Sequence, residues 1–170
     1  MENNIAKARN DFVVLLVGAQ QLEVLEDYVK HALEGKVPKW LRIVAPRQCA
    51  ADYYGAADLF LSASRWEGFP YAVLEAMVNK LPIISSDIRG LEWAKGAEGV
   101  RFFASCDLHE LIASIHALLN SDKQEHLHAG KANHDFAVEG FSVRRWAQNI
   151  LDYYSKLTRA HGDSTPNTQP

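Results

Sequence analysis

Two glutamates, Glu67 and Glu75, bracket seven residues in a stretch that reads DLFLSASRWEGFPYAVLEAMVNKLPIISS from Asp58 onward. The stretch is an apolar run ending at Ser62, a glycine-containing loop, Trp66-Glu67-Gly68-Phe69-Pro70, and a helical pattern starting near Tyr71. A carboxylate accepts hydrogen bonds from hydroxyl groups, and the free N–H groups and dipole of a helix start attract a phosphate. With Glu67 in the loop and Glu75 about a turn into the helix, both fit one crevice. Such a crevice suits a ligand that carries hydroxyls and phosphates together, as a nucleotide-sugar does. On spacing alone a blander arrangement stays open, with Glu75 solvated and Glu67 only bracing its loop.

The elements around this stretch place it at the end of a sheet. Five apolar runs read as strands: Phe12 to Val17, Leu41 to Ala45, Asp58 to Ser62, Pro82 to Ser85 and Gly99 to Phe103. They show little alternation, the pattern of parallel strands covered on both faces. Helical spacing links Leu22, Leu25, Tyr28, Val29 and Leu33, with Gly35 where a C-terminal cap belongs. Cys49 to Ala57 and Tyr71 to Lys80 are shorter helices. Asp107 and Glu110 form a capping-box-like start for a helix whose stripe is Leu108, Leu111, Ile112, Ile115, Leu118 and Leu119. Ser142 caps a last helix, with Phe141 and Trp146 as a staple and Val143, Trp146, Ile150 and Leu157 on the face that closes the domain. Strands alternating with helices predict an α/β fold, a doubly wound parallel sheet of Rossmann type, over residues 1–160. Residues 161–170 are polar, hold Pro166 and Pro170, and are expected to form a disordered tail. In such sheets ligands bind beyond the carboxyl ends of the strands, where the Glu67 loop falls.

Composition narrows the function. The 170 residues are 48% hydrophobic and 23% charged, an ordinary globular balance, and the net charge of −3 leaves no basic excess for a nucleic acid backbone. The apolar run at Phe12 to Val17 is far below the roughly 20 residues that span a bilayer. The N-terminus has no signal-peptide pattern, so a cytoplasmic chain without direct membrane contact is expected. Cys49 and Cys106 are too few for a disulfide framework and read as small buried hydrophobes. His126, His128 and His134 do not converge at helical spacing, so no metal site is expected. Trp40, Trp93 and Trp146 read as packing residues, while Trp66, beside Glu67, is a candidate for the ligand pocket.

Read as a string, Ala57-Asp58-Leu59-Phe60, Ser64, Glu67-Gly68-Phe69-Pro70, Leu74-Glu75-Ala76-Met77, Leu81-Pro82-Ile83-Ile84 and Gly90 resemble, in order, the donor-binding domain of group 1, family 4 glycosyltransferases of the GT-B type. The resemblance extends from about residue 10 to residue 157 and includes the Tyr-Tyr-Gly-Ala-Ala-Asp approach to the third strand. It implies retaining transfer of a hexose from a nucleoside diphosphate sugar, with no cofactor and no obligatory metal. It gives Glu67 the catalytic position at the hexose hydroxyls near the reacting carbon and Glu75 the ribose hydroxyls. It places Gly68, Phe69 and Pro70 along the sugar, the amides of Ala72 and Val73 near the diphosphate, and Pro46 and Arg47 at the base. A surface arginine after a strand is, however, ordinarily only solvated.

The sequence departs from that family in front of Phe12. The family's two cationic side chains lie before this point, and Lys7 and Arg9 do not take their place; losing such a contact costs on the order of 10² to 10³ in rate. The acceptor-binding domain is also missing, and so is one central strand. Closing the sheet without that strand gives the flavodoxin-like order 2-1-3-4-5, whereas leaving the gap open calls for another chain to fill it. Two functions compete. One is an enzyme whose acceptor domain comes from a partner chain; the other is a catalytically inactive nucleotide-sugar-binding or protein-interaction module. A flavodoxin-like receiver or flavin carrier fits the fold, but no acidic cluster or Ser/Thr loop after the first strand supports it.

Overall fold

The structure is a computed structural model that describes residues 12–18, 20–33, 35–46 and 49–162. Its elements are β1 (Val14–Val17), α1 (Leu22–Ala32), β2 (Leu41–Val44), α2 (Ala51–Ala56), β3 (Phe60–Ser62), α3 (Tyr71–Val78), β4 (Ile83–Asp87), a 3-10 helix (Arg89–Ala94), β5 (Val100–Ala104), α4 (Leu108–Asn120), α5 (Lys123–Phe141) and α6 (Val143–Gly162). Five strands form where the apolar runs predict them, and all their pairings are parallel.

The strands pair in two groups. β1 lies against β2 with Val14 opposite Leu41, and β3, β4 and β5 make a second sheet with Ile83 between Phe60 and Val100. The α/β class stands, but the continuous order 2-1-3-4-5 does not form, because β1 and β3 are not hydrogen-bonded to each other. Parallel strands are stable when layers cover both faces. All four residues of β1 are exposed, so among the described residues no packed layer presses β1 toward β3.

The core gathers on the second sheet. Ile83, Ile84, Ser85 and Ser86 of β4 are buried, and α3 packs Val73, Ala76 and Met77 into one cluster with Ile83. The 3-10 helix adds Leu91 and Ala94. α5 is not among the helices that hydrophobic periodicity announces, because its buried residues are Gly130, Asn133 and Ala137. A Cβ on Gly130 would overlap the Lys80 carbonyl, so glycine lets α5 approach the end of α3 closely. The Asn133 amide donates to the Leu81 and Gly99 carbonyls at 2.8 and 3.0 Å and ties α5 to the start of β4 and β5.

Several local expectations change. Asp107 does cap α4, accepting from the His109 and Glu110 amides at 2.9 and 3.0 Å. Glu110 instead reaches the Ala104 amide at 2.6 Å, and Leu108 points outward. The apolar face of α6 is exposed and does not close the domain; Trp146 is 64% exposed. Phe141 is drawn away from a staple with Trp146 by Trp93, whose ring lies 4.8 Å away. Both cysteines are exposed because they lie in connecting segments, Cys49 ahead of α2 and Cys106, with φ 67°, in the turn between β5 and α4. α6 runs to Gly162, two residues into the expected tail, and residues 163–170 lie outside the described residues.

Candidate functional site

β3 ends at Ser62, and the chain turns through residues 63–70 before α3 starts at Tyr71. Pro70 occupies the N-cap of α3 with φ −76°, which its ring favours, and it supplies no side-chain cap. The Val73 amide donates to the Pro70 carbonyl at 3.1 Å. Among the described residues the amides of Tyr71 and Ala72 have no protein acceptor, leaving the first turn of α3 open to an anion. Of the two amides the sequence places near a diphosphate, Ala72's is therefore free and Val73's is engaged.

Glu67 is half-buried in the loop, and its Oε1 accepts from the Ser64 hydroxyl at 2.9 Å. The Ser64 carbonyl in turn accepts from the Ser86 hydroxyl at 2.5 Å, which keys the loop to buried β4. The 3-10 helix holds it from another side. A Cβ at Gly90 would overlap the Glu67 carbonyl, so only glycine permits this approach. The Trp93 indole N–H donates to the Gly90 carbonyl at 2.9 Å, and the Trp93 ring stacks on Phe69 at 4.9 Å and 22°. Phe141 and Tyr71 complete this aromatic cluster, at 5.9 and 5.3 Å from Phe69. Trp93 is thus a packing residue, as its type suggests, and what it packs is the candidate loop.

Glu75 is exposed on α3, and its Oε2 accepts from the Tyr54 hydroxyl of α2 at 2.9 Å. The same hydroxyl lies 3.3 Å from the Ala72 carbonyl, and the Tyr54 ring packs 5.8 Å from Phe60. Burial, then the hydrogen bond and charge of Glu75, push the Tyr54 phenol well above its usual range. Tyr54 therefore stays a neutral donor. Each glutamate has one oxygen engaged by a hydroxyl, and its remaining lone pairs are open to ligand hydroxyls.

Gly68 is exposed, with nothing near the position a Cβ would take, so its backbone is accessible. Trp66 is 81% exposed. Pro46 is exposed just beyond β2, on the sheet that does not carry the loop, and Arg47 lies outside the described residues. Among the described residues no group of three or more His, Cys, Asp and Glu side chains comes together. No described helix is long and apolar enough to cross a membrane. Among the supports of the loop and of Glu75, Gly90 and the Tyr-Tyr-Gly segment belong to the quoted motifs and Trp93 reads as packing, but what Tyr54, Ser86, Gly90 and Trp93 hold is set by partners outside their own local motifs.

The family model described as Glycosyl transferases group 1 matches residues 1–121. The lipopolysaccharide core biosynthesis mannosyltransferase LpsB of Rhizobium meliloti (strain 1021) is 31% identical over 112 residues, covering 64% of this chain and 31% of the relative. The UDP-Gal:alpha-D-GlcNAc-diphosphoundecaprenol alpha-1,3-galactosyltransferase of Escherichia coli is 28% identical over 155 residues, covering 91% of this chain and 38% of the relative. The chain thus spans between 31% and 38% of the length of these curated relatives. Anabaena Alr3699/HepE in complex with UDP shares the fold at a TM-score of 0.77 and 18% identity, over 89% of this chain and 43% of that one.

Proposed function

The chain belongs to the group 1 glycosyltransferases, and from that premise we propose that it is a donor-binding domain for retaining transfer of a hexose from a nucleoside diphosphate sugar. Glu67 takes the hexose hydroxyls near the reacting carbon and Glu75 takes the ribose hydroxyls. The exposed backbone of Gly68 and Phe69, with Pro70 behind it, lines the sugar. The diphosphate meets the first turn of α3, chiefly through the free Ala72 amide, while Val73 contributes through the helix dipole. Pro46 and Arg47 border the base. Catalysis then rests on stabilising charge that develops on the departing diphosphate.

One observation carries this reading. Two glutamates with seven residues between them are each braced by a hydroxyl, and they flank a helix start with unused amides. We propose further that the acceptor domain and the cationic side chains that stabilise the diphosphate lie outside the described residues, and a partner chain is one source of them. We place the protein in the cytoplasm, where two free, exposed cysteines stay reduced.

The test is a thermal-stability titration of the chain with uridine, guanosine and adenosine diphosphate sugars, alongside Glu75→Ala. A ligand of the native state raises its stability by about 2.7 kcal/mol at a hundred times its dissociation constant. A rise with one nucleotide, lost in the variant, supports the donor site. No rise at millimolar donor leaves a folded module that binds no nucleotide-sugar.

A further inference from the structure

We infer that Tyr54 is a positioning residue of the donor site, which fixes the Glu75 carboxylate and thereby sets how strongly the site distinguishes ribose from deoxyribose. The inference rests on the reading that Glu75 receives the ribose hydroxyls.

Glu75 is exposed on α3, and a free glutamate there would sample several rotamers, each lost on binding at an entropic cost. The Tyr54 hydroxyl sits 2.9 Å from Oε2 and holds one carboxylate oxygen. Its ring is itself held, 5.8 Å from Phe60 at the start of β3, so the donor is anchored to the sheet that carries the Glu67 loop. The phenol has one proton and two acceptors near it. The nearer is Glu75 at 2.9 Å, against 3.3 Å for the Ala72 carbonyl, so the charged acceptor takes it. With Oε2 held, Oε1 and the second lone pair of Oε2 present a fixed edge. Two neighbouring hydroxyls engage such an edge together, and a sugar lacking one of them does so poorly. The Tyr54 phenol, half-buried and held above its usual range, stays neutral at physiological pH and remains a donor to Glu75.

Tyr54→Phe tests the inference, because it removes the hydroxyl and leaves the ring against Phe60. The full chain, Tyr54→Phe and Glu75→Ala are compared by calorimetric titration with uridine, guanosine and adenosine diphosphates and their 2′-deoxy forms, with thermal unfolding of each ligand-free protein. The expected result is binding of one ribonucleotide that Glu75→Ala loses. Tyr54→Phe weakens that ribonucleotide about tenfold, the size of one hydrogen bond to a charged group. The deoxy form shifts by less than about twofold, so the ribose preference collapses while ligand-free stability stays near the parent value. Equal weakening of both forms, or unchanged binding in Tyr54→Phe, overturns the role of Tyr54 and leaves the donor site standing. Binding that survives Glu75→Ala, or no binding by the parent chain, overturns the donor-site reading and this inference with it.

Discussion

β1 and β4 are short parallel strands that each carry adjacent aliphatic residues, with opposite surroundings. In β4 Ile84 is fully buried, with strands on both sides, and its neighbour Ile83 packs with α3. In β1 Leu15 is 41% exposed, and the strand has one partner, β2. Cover, more than apolar content, sets the difference: the more apolar strand, β1 (VLLV), is the exposed one, while β4 (IISSD) buries even Ser85 and Ser86. The candidate loop grows from the well-covered sheet, and its supports, Ser86, Gly90 and Trp93, belong to β4 and the helix that follows it. The site is therefore braced on the side that carries Glu67 and Glu75, while the β1–β2 sheet where Pro46 lies is exposed.

The largest effect expected from this contrast is in the core. Ile84→Ala should cost about 2 to 5 kcal/mol in chemical denaturation, whereas Leu15→Ala should cost less than about 1 kcal/mol. Equal costs at the two positions would break the comparison. Gly90→Ala comes next. Its methyl group would push on the Glu67 carbonyl, and overpacking of this kind costs about 1 to 3 kcal/mol. Because the displaced backbone is the loop's own, nucleotide-sugar binding should fall more than stability does; unchanged binding in a folded variant would show that the 3-10 helix does not set the loop.

Helix starts sharpen the contrast on a smaller scale. Asp107 caps α4 with two hydrogen bonds, so Asp107→Ala should cost about 1 kcal/mol. Gln21 precedes α1 without a side-chain cap bond, so Gln21→Ala should change stability by no more than about 0.3 kcal/mol. A similar loss at both positions would place α1 in the same cooperative unit as α4, with a cap contact at Gln21 that the ligand-free geometry lacks.

The strands and most helices were legible because apolar runs and helical spacing are local signals. Burial was not, because Val14–Val17 and Ile83–Ile84 look alike until the layers around them are known. α5 escaped for a different reason: Gly130 and Asn133 seat it by close approach and hydrogen bonding, which leave no hydrophobic stripe. α6 misled in the opposite direction, since its apolar stripe is real but nothing among the described residues covers most of it. Within the site, Glu67, Gly68 and Glu75 stand out as a strand, loop and helix start. Tyr54 does not, because its partner Glu75 is 21 residues away and only the fold brings them together.

The central claim is that a nucleotide-sugar occupies the crevice between the Glu67 loop and the first turns of α3. It is tested most directly by mapping backbone amide resonances of the chain during titration with the nucleoside diphosphate sugar that stabilises it most. The account predicts saturable shifts concentrated at Gly68, Phe69, Ala72, Val73 and Glu75, which disappear in Glu75→Ala. Shifts centred elsewhere, for example on the shallow groove bordered by Gly96, His128 and Phe136, or no shifts at millimolar ligand, would contradict it.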